Sequence, residues 1–201
     1  MHLYLIAMES EAKDLIKDAK LIFNEPFALY ELDNNLIAIT RIGKVNAAFT
    51  LSYLNNKYDI KRYFNLGFVG ALGNFKIGEI YQVIYAKYHD VDVTAFGYEN
   101  GQIPGMPPSF KSEDLKIYPN AKLLTGDTFL TKDLGGNYLI DMEGTALFQA
   151  AHLLGQELIS VKIVSDVIGS KHHLDEYSEF EALGSKDIKE IYKRLETHFR
   201  G

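Results

Sequence analysis

Short apolar runs alternate with segments of helical period along most of this chain, and nothing else in the sequence limits its fold as much. Leu3 to Ala7 is an apolar run of strand length. Ser10 to Lys20 follows, with Ala12, Leu15, Ile16 and Ala19 at three- and four-residue spacing, as on one face of a helix. Phe27 to Leu32 and Leu36 to Thr40 read as strands around the turn Asp33-Asn34-Asn35. Val45 to Lys57 is a second helix. Arg62 to Leu66 is a strand ending at Gly67, Ile77 to Ala86 is strand-rich, and residues 97–109, with three glycines and three prolines, form a loop. Lys122 to Leu124, Tyr138 to Asp141 and Leu158 to Val164 are further strands, while Glu143 to Leu154 and Lys186 to His198 are helices. Strands alternating with helices predict an α/β fold with helices on both faces of a sheet.

The chain has 201 residues, and no linker, repeat or low-complexity tract divides it, so residues 1–201 are expected to form a single domain. It has no cysteine, which excludes a disulfide framework, a cysteine zinc site and a thiol nucleophile. A net charge of -6 argues against nucleic acid as a partner. Only four arginines are present, Arg41, Arg62, Arg194 and Arg200, too few for a phosphate site built on arginine clamps. No apolar run approaches the roughly 18 residues that span a membrane, and no leader precedes Glu9, so a cytoplasmic protein is expected.

In α/β sheets ligands bind at the carboxyl ends of strands. Glu9 and Glu11 follow the first strand, Asp141 and Glu143 another, and Asp166 a third. Carboxylates forced into one pocket have their pKa values driven apart, so that one serves as acid and another as base. Helix N-terminal stabilisation is the competing explanation for Glu11 and Glu143. His89, Asp90 and Asp92 alternate along the chain, which points His89 and Asp90 to opposite faces. No metal is expected there, or at the His172-His173 pair.

Six local sequences occur in a telling order. They are Ala7-Met8-Glu9-Ser10-Glu11, Ile42-Gly43-Lys44-Val45-Asn46, the run from Tyr88-His89-Asp90 to Phe96-Gly97-Tyr98, Gly126-Asp127-Thr128-Phe129, Met142-Glu143-Gly144-Thr145 and Ser165-Asp166-Val167. Together they resemble the 5′-methylthioadenosine/S-adenosylhomocysteine nucleosidases of the purine nucleoside phosphorylase family. The resemblance implies a mixed sheet of the nucleoside phosphorylase type and hydrolysis of the N-glycosidic bond of 5′-modified adenine nucleosides, with no cofactor. It implies that Asp166 protonates the purine N7 and that Glu11 activates the attacking water. It implies that Glu143 grips the ribose hydroxyls, Met142 packs on the sugar, Phe129 stacks on the purine and Leu130 meets the base edge. Ser165 and Met8 fall in the matching motifs as substrate-binding residues. Phe96 and Pro104 match residues that a second subunit lends to the 5′-pocket, which implies a homodimer.

The sequence departs from that pattern in specific places. Phe68 stands where a small Ser or Thr is usual, and its ring is expected to reshape the nucleophile pocket. Ile6 replaces a glycine, Arg41 replaces the glycine that commonly opens the turn before Lys44, and Lys162 replaces an arginine. The aromatic after Asp166 has no clean match, with Leu174 or Tyr177 as substitutes. The chain is also shorter than the pattern at residues 111–120 and 131–137, which predicts a more open site with no helix in either segment. Three alternatives follow: hydrolysis of futalosine or aminofutalosine, a catalytically impaired nucleoside-binding protein, and a phosphorylase.

Overall fold

In this computed structural model residues 1–132, 134–169, 180 and 184–199 are described. The chain begins with β1 (His2–Ile6) and α1 (Glu9–Ile16), followed by β2 (Lys20–Phe23), β3 (Ala28–Leu32) and β4 (Asn35–Ile39). Next come α2 (Lys44–Lys57), β5 (Arg62–Leu72) and β6 (Ile80–Tyr88). A two-residue strand β7 (Phe110–Lys111) precedes β8 (Asn120–Thr125) and β9 (Tyr138–Asp141). The remaining elements are α3 (Gly144–Leu153), β10 (Leu158–Val167) and α4 (Ser185–Phe199).

The strands form one mixed sheet. β4, β1, β5 and β10 lie side by side and parallel. From β5 the sheet also curls through β9, β8 and β6 to β10, which returns to β5. The result is a closed ring of five strands with β1, β4, β3 and β2 extending from it. β5 can serve both parts because it is long: its first residues pair with β1 and its last three with β9.

The alternating side chains of β1 show how the two faces are filled. Leu3 and Leu5 join a core with Leu51 and Leu54 of α2 and Ala146 to Ala151 of α3. Tyr4 and Ile6 join a second core with Ala12 and Leu15 of α1 and Ile188, Ile191, Tyr192 and Leu195 of α4. Helices therefore cover both faces, as the alternation predicts.

Several boundaries differ from expectation. The first helix stops at Ile16 because Lys20 to Phe23 is taken up by antiparallel pairing with β3. The strand at Arg62 does not end at Gly67 but runs to Leu72. Its glycines are sites of close approach. A Cβ on Gly67 would lie 3.0 Å from Glu11 Oε1, and one on Gly70 would lie 3.1 Å from Asp166 Oδ2. Asp166 likewise lies within β10 and not after it. The register of β10 against β5 slips between Val164 and Asp166, and a bulge of this kind re-aims the side chains beside it. Residues 111–120 and 131–137 contain no helix among the described residues, as expected. No described helix is long and apolar enough to cross a membrane. The His172-His173 pair, Leu174 and Tyr177 lie outside the described residues.

The packing of α4 is testable. Leu195 is fully buried, whereas Lys193 is an exposed partner of Glu190 in an i,i+3 pair. In urea unfolding, Leu195→Ala should cost about 2–5 kcal/mol, and Lys193→Ala should stay within about 0.5 kcal/mol of the unaltered protein.

Candidate active site

The carboxyl ends of β1, β5, β9 and β10 open into one cleft that is continuous with solvent. Met8, Glu11, Phe129, Leu130, Met142, Glu143, Ser165 and Asp166 all line it. These are eight of the ten residues singled out from the sequence. Phe96 and Pro104 do not line it; both are exposed, and Phe96 is 81% accessible.

Glu11 sits in the first turn of α1 with its carboxylate turned inward. Met8 N–H donates to Oε2 at 3.0 Å and Phe68 N–H donates to Oε1 at 2.7 Å. The bond to Met8 is the helix-terminal role that competed with catalysis in the sequence. The bond to Phe68, from a different element, exceeds that role and fixes the carboxylate over β5. Burial pushes its pKa above the usual carboxylate value, opposed by the two N–H groups and the Lys162 charge.

Glu143 occupies the position before α3, and Gly43 N–H donates to its Oε1 at 2.8 Å. Its pKa is raised, first by burial and then by the Asp141 carboxylate. Gly43 holds φ +104 there, a backbone that suits glycine and lets the N–H face the carboxylate. The turn is held in place from behind. Lys44 Nζ pairs with Asp90 Oδ2 at 2.6 Å, Lys44 N–H donates to Asp127 Oδ1 at 2.9 Å, and Asp127 N–H donates to Asp90 Oδ2 at 2.9 Å. Asp90 thus takes the structural role expected of it. Among the described residues no group of three His, Asp or Glu is arranged to hold a metal ion.

Asp166 is buried, and Ser165 Oγ lies 2.7 Å from its Oδ1 and 3.0 Å from the Val69 carbonyl oxygen. A hydroxyl has one proton and spare acceptor capacity, so Ser165 can serve Asp166 in either protonation state. Asp166 is thereby oriented in the cleft wall.

Lys162 and Asp141 form the part of the site that was not read from the sequence as a unit. Lys162 Nζ lies 3.0 Å from Asp141 Oδ2, and both side chains are almost fully buried. Asp141 also accepts from Thr125 Oγ1 at 2.6 Å and from Gly144 N–H at 3.0 Å. The expected loss of a bidentate arginine pairing leaves a single point contact, and the remaining capacity of Asp141 is filled by a hydroxyl and an amide. A lone lysine in the apolar run Leu158 to Val164 was the available signal, because a buried ammonium requires a partner. Phe68 also lines the cleft, as expected, with its ring edge-on to Phe180 at 5.1 Å.

The chain is similar to known proteins in sequence and in fold. The sequence profile of the Phosphorylase superfamily matches residues 2–134 and 120–196. A 5′-methylthioadenosine/S-adenosylhomocysteine nucleosidase of Bacillus cereus is 30% identical, with 94% of this chain and 96% of that protein aligned. The Colwellia psychrerythraea nucleosidase, solved in complex with adenine, superposes with a TM-score of 0.79 at 30% identity, covering 92% of this chain and 91% of that one. The Neisseria meningitidis enzyme in complex with methylthio-immucillin-A superposes with a TM-score of 0.82 at 27% identity, covering 96% and 98%. The chain belongs to the 5′-methylthioadenosine/S-adenosylhomocysteine nucleosidase family of the phosphorylase superfamily.

Proposed function

We propose that the protein hydrolyses the N-glycosidic bond of 5′-modified adenine nucleosides such as 5′-methylthioadenosine and S-adenosylhomocysteine, releasing adenine and the 5′-thioribose. One observation carries the reading: Glu11, Glu143 and Asp166, from three separate elements, line one cleft, and no lysine or arginine lines it among the described residues. Such a wall suits a neutral nucleoside and a water molecule. It repels a phosphate co-substrate, which argues for hydrolysis over phosphorolysis.

Each residue then has a defined task. Asp166, oriented by Ser165, delivers a proton to the purine N7 as the C1′–N9 bond breaks, so the base leaves neutral. Glu11 takes a proton from the water whose oxygen bonds to C1′, and its burial makes it a stronger base than a solvated carboxylate. Glu143 accepts from the ribose hydroxyls and fixes the sugar while positive charge develops on it. Met8 and Met142 pack against the sugar, Phe129 stacks on the purine, and Leu130 meets the base edge with its main chain.

The same reading makes the protein a cytoplasmic homodimer. Val45, Phe49 and Tyr53 of α2 and Leu153 of α3 are exposed apolar side chains, and α2 and α3 pack together. A patch of this kind fits a self-complementary interface. Across it Phe96 and Pro104 would complete the 5′-pocket of the other subunit.

Asp166→Asn should lower kcat by about 10²–10⁴-fold, the span of a general acid, with far-UV circular dichroism unchanged. Adenine release from methylthioadenosine is the assay, and near-normal turnover would remove Asp166 from its role. Sedimentation should give twice the 22.7 kDa chain mass, and Phe96→Ala should raise KM for methylthioadenosine more than it lowers kcat. A monomer with full activity would refute the dimer.

The raised pKa of Glu143 also makes a stability prediction. The folded state holds the Glu143 proton more tightly than the unfolded chain, so stability falls as pH rises through the folded value. Below the unfolded value of 4.5 the carboxyl is neutral in both states. Glu143→Gln should therefore be more stable than the unaltered protein at pH 8 by over about 1 kcal/mol, and the gap should close towards pH 4. Calorimetric melting of both proteins across that range measures it, and a gap independent of pH would contradict the assignment.

A further inference from the structure

The purine loop and the ribose clamp stand on different parts of the chain, yet one carboxylate holds both. We infer that Asp90 is a positioning residue that ties the loop carrying Phe129 to the clamp residue Glu143, and so fixes base and sugar relative to each other across the bond that breaks. The inference rests on the nucleosidase reading and adds to it a residue outside the cleft.

The purine side of the link begins at a loop with little structure of its own. Gly126 to Leu130 belong to no helix or strand, so contacts with other parts of the chain place Phe129. Gly126 N–H donates to the Asp141 carbonyl oxygen at 3.2 Å, and Asp127 N–H donates to Asp90 Oδ2 at 2.9 Å. The loop lies flush against His89 and Asp90. A Cβ on Gly126 would stand 2.5 Å from His89 Nε2 and 3.0 Å from Asp90 Cγ. Phe129 follows Asp127 by two residues.

The sugar side uses the same carboxylate. Lys44 Nζ donates to Asp90 Oδ2 at 2.6 Å, and Lys44 N–H donates to Asp127 Oδ1 at 2.9 Å. Asp90, Lys44 and Asp127 therefore close a ring of contacts. Gly43, the residue before Lys44, gives its N–H to Glu143 Oε1 at 2.8 Å. The Lys44 and Asp90 side chains are only 23% and 21% exposed, and Lys44 Nζ lies 5.3 Å from the centre of the Tyr88 ring. The pair is packed against the protein and is held more firmly than a freely solvated one. Neither Lys44 nor Asp90 lines the cleft. A change at Asp90 thus reaches the reaction through the two parts that it holds. Alignment of base and sugar with the acid and the water is worth much of the barrier, and a displacement of about 1 Å can cost about 10²-fold in rate.

A double-mutant cycle, read as single-turnover release of adenine from methylthioadenosine, tests the link. Asp90→Ala should lower the rate of the chemical step by about 10²-fold. In a Glu143→Ala background Gly43 has no carboxylate to place, and Asp90→Ala should then cost less than about tenfold. Asp90→Asn keeps an oxygen acceptor and should recover most of the rate. Asp92→Ala, at an exposed neighbour whose carboxylate accepts from Thr94, should leave the rate unchanged. Lys44→Met breaks the same ring from the other side and should show the same dependence on Glu143, which keeps the test open should Asp90→Ala fail to fold. Equal losses with and without Glu143 would reveal a general structural role and overturn the link, as would a near-normal rate for Asp90→Ala. Failure of the unaltered protein to release adenine from any 5′-modified adenosine would instead overturn the nucleosidase reading, and the link with it.

Discussion

The ion pair between Lys162 and Asp141 is the contact on which the site depends. Glu11, Asp141, Glu143 and Asp166 are all buried around one cleft. Buried carboxylates at such spacing repel one another, and each has lost its hydration. Lys162 returns one positive charge to the group from beneath the cleft wall, paired with Asp141 and acting at longer range on Glu11 and Glu143. The ammonium stays out of the cleft, so the cleft presents acids and apolar side chains while the fold holds the compensating charge. That arrangement separates the electrostatic cost of the site from its chemistry.

Backbone amides do the rest of the positioning. Phe68 N–H fixes Glu11 and Gly43 N–H fixes Glu143. Neither bond depends on the side chain of the donor residue, so Phe68 is compatible with a properly placed Glu11. What Phe68 changes is the shape of the wall, where its ring meets Phe180. The two glycines of β5 are the complementary condition, since Glu11 and Asp166 reach over the strand only where no Cβ stands in the way.

Much of this was legible in the sequence. The apolar runs located β1, β3, β4, β9 and β10 and helices α1 to α4, because buried strands and amphipathic helices write their periods directly into the order of residues. The motifs brought eight cleft residues together. The rest was hidden for physical reasons. β2 exists through pairing with β3, although its own residues are largely exposed. Gly67 read as a strand end, because glycine weakens a strand locally and the gain from passing under Glu11 is a tertiary effect. The slip at Ser165 left no mark that a one-chain pattern could show. Lys162 stood out, but its partner lies 21 residues away on another strand, a distance only the folded ring closes.

That ring has a bearing on how copies of the chain meet one another in the crowded state. A sheet that returns to its own first strand leaves no open row of amides and carbonyls along the closed part. The exposed edge is displaced to β2, at the far end of the extension, where Leu21 and Ile22 face solvent. Two features blunt it: β2 is four residues long, and its pairing with β3 slips between Leu21 and Phe23. With Lys20 at its start, the edge is short, kinked and charged, a poor template for another strand. The sheet is thereby kept out of strand-to-strand association at its one extended end.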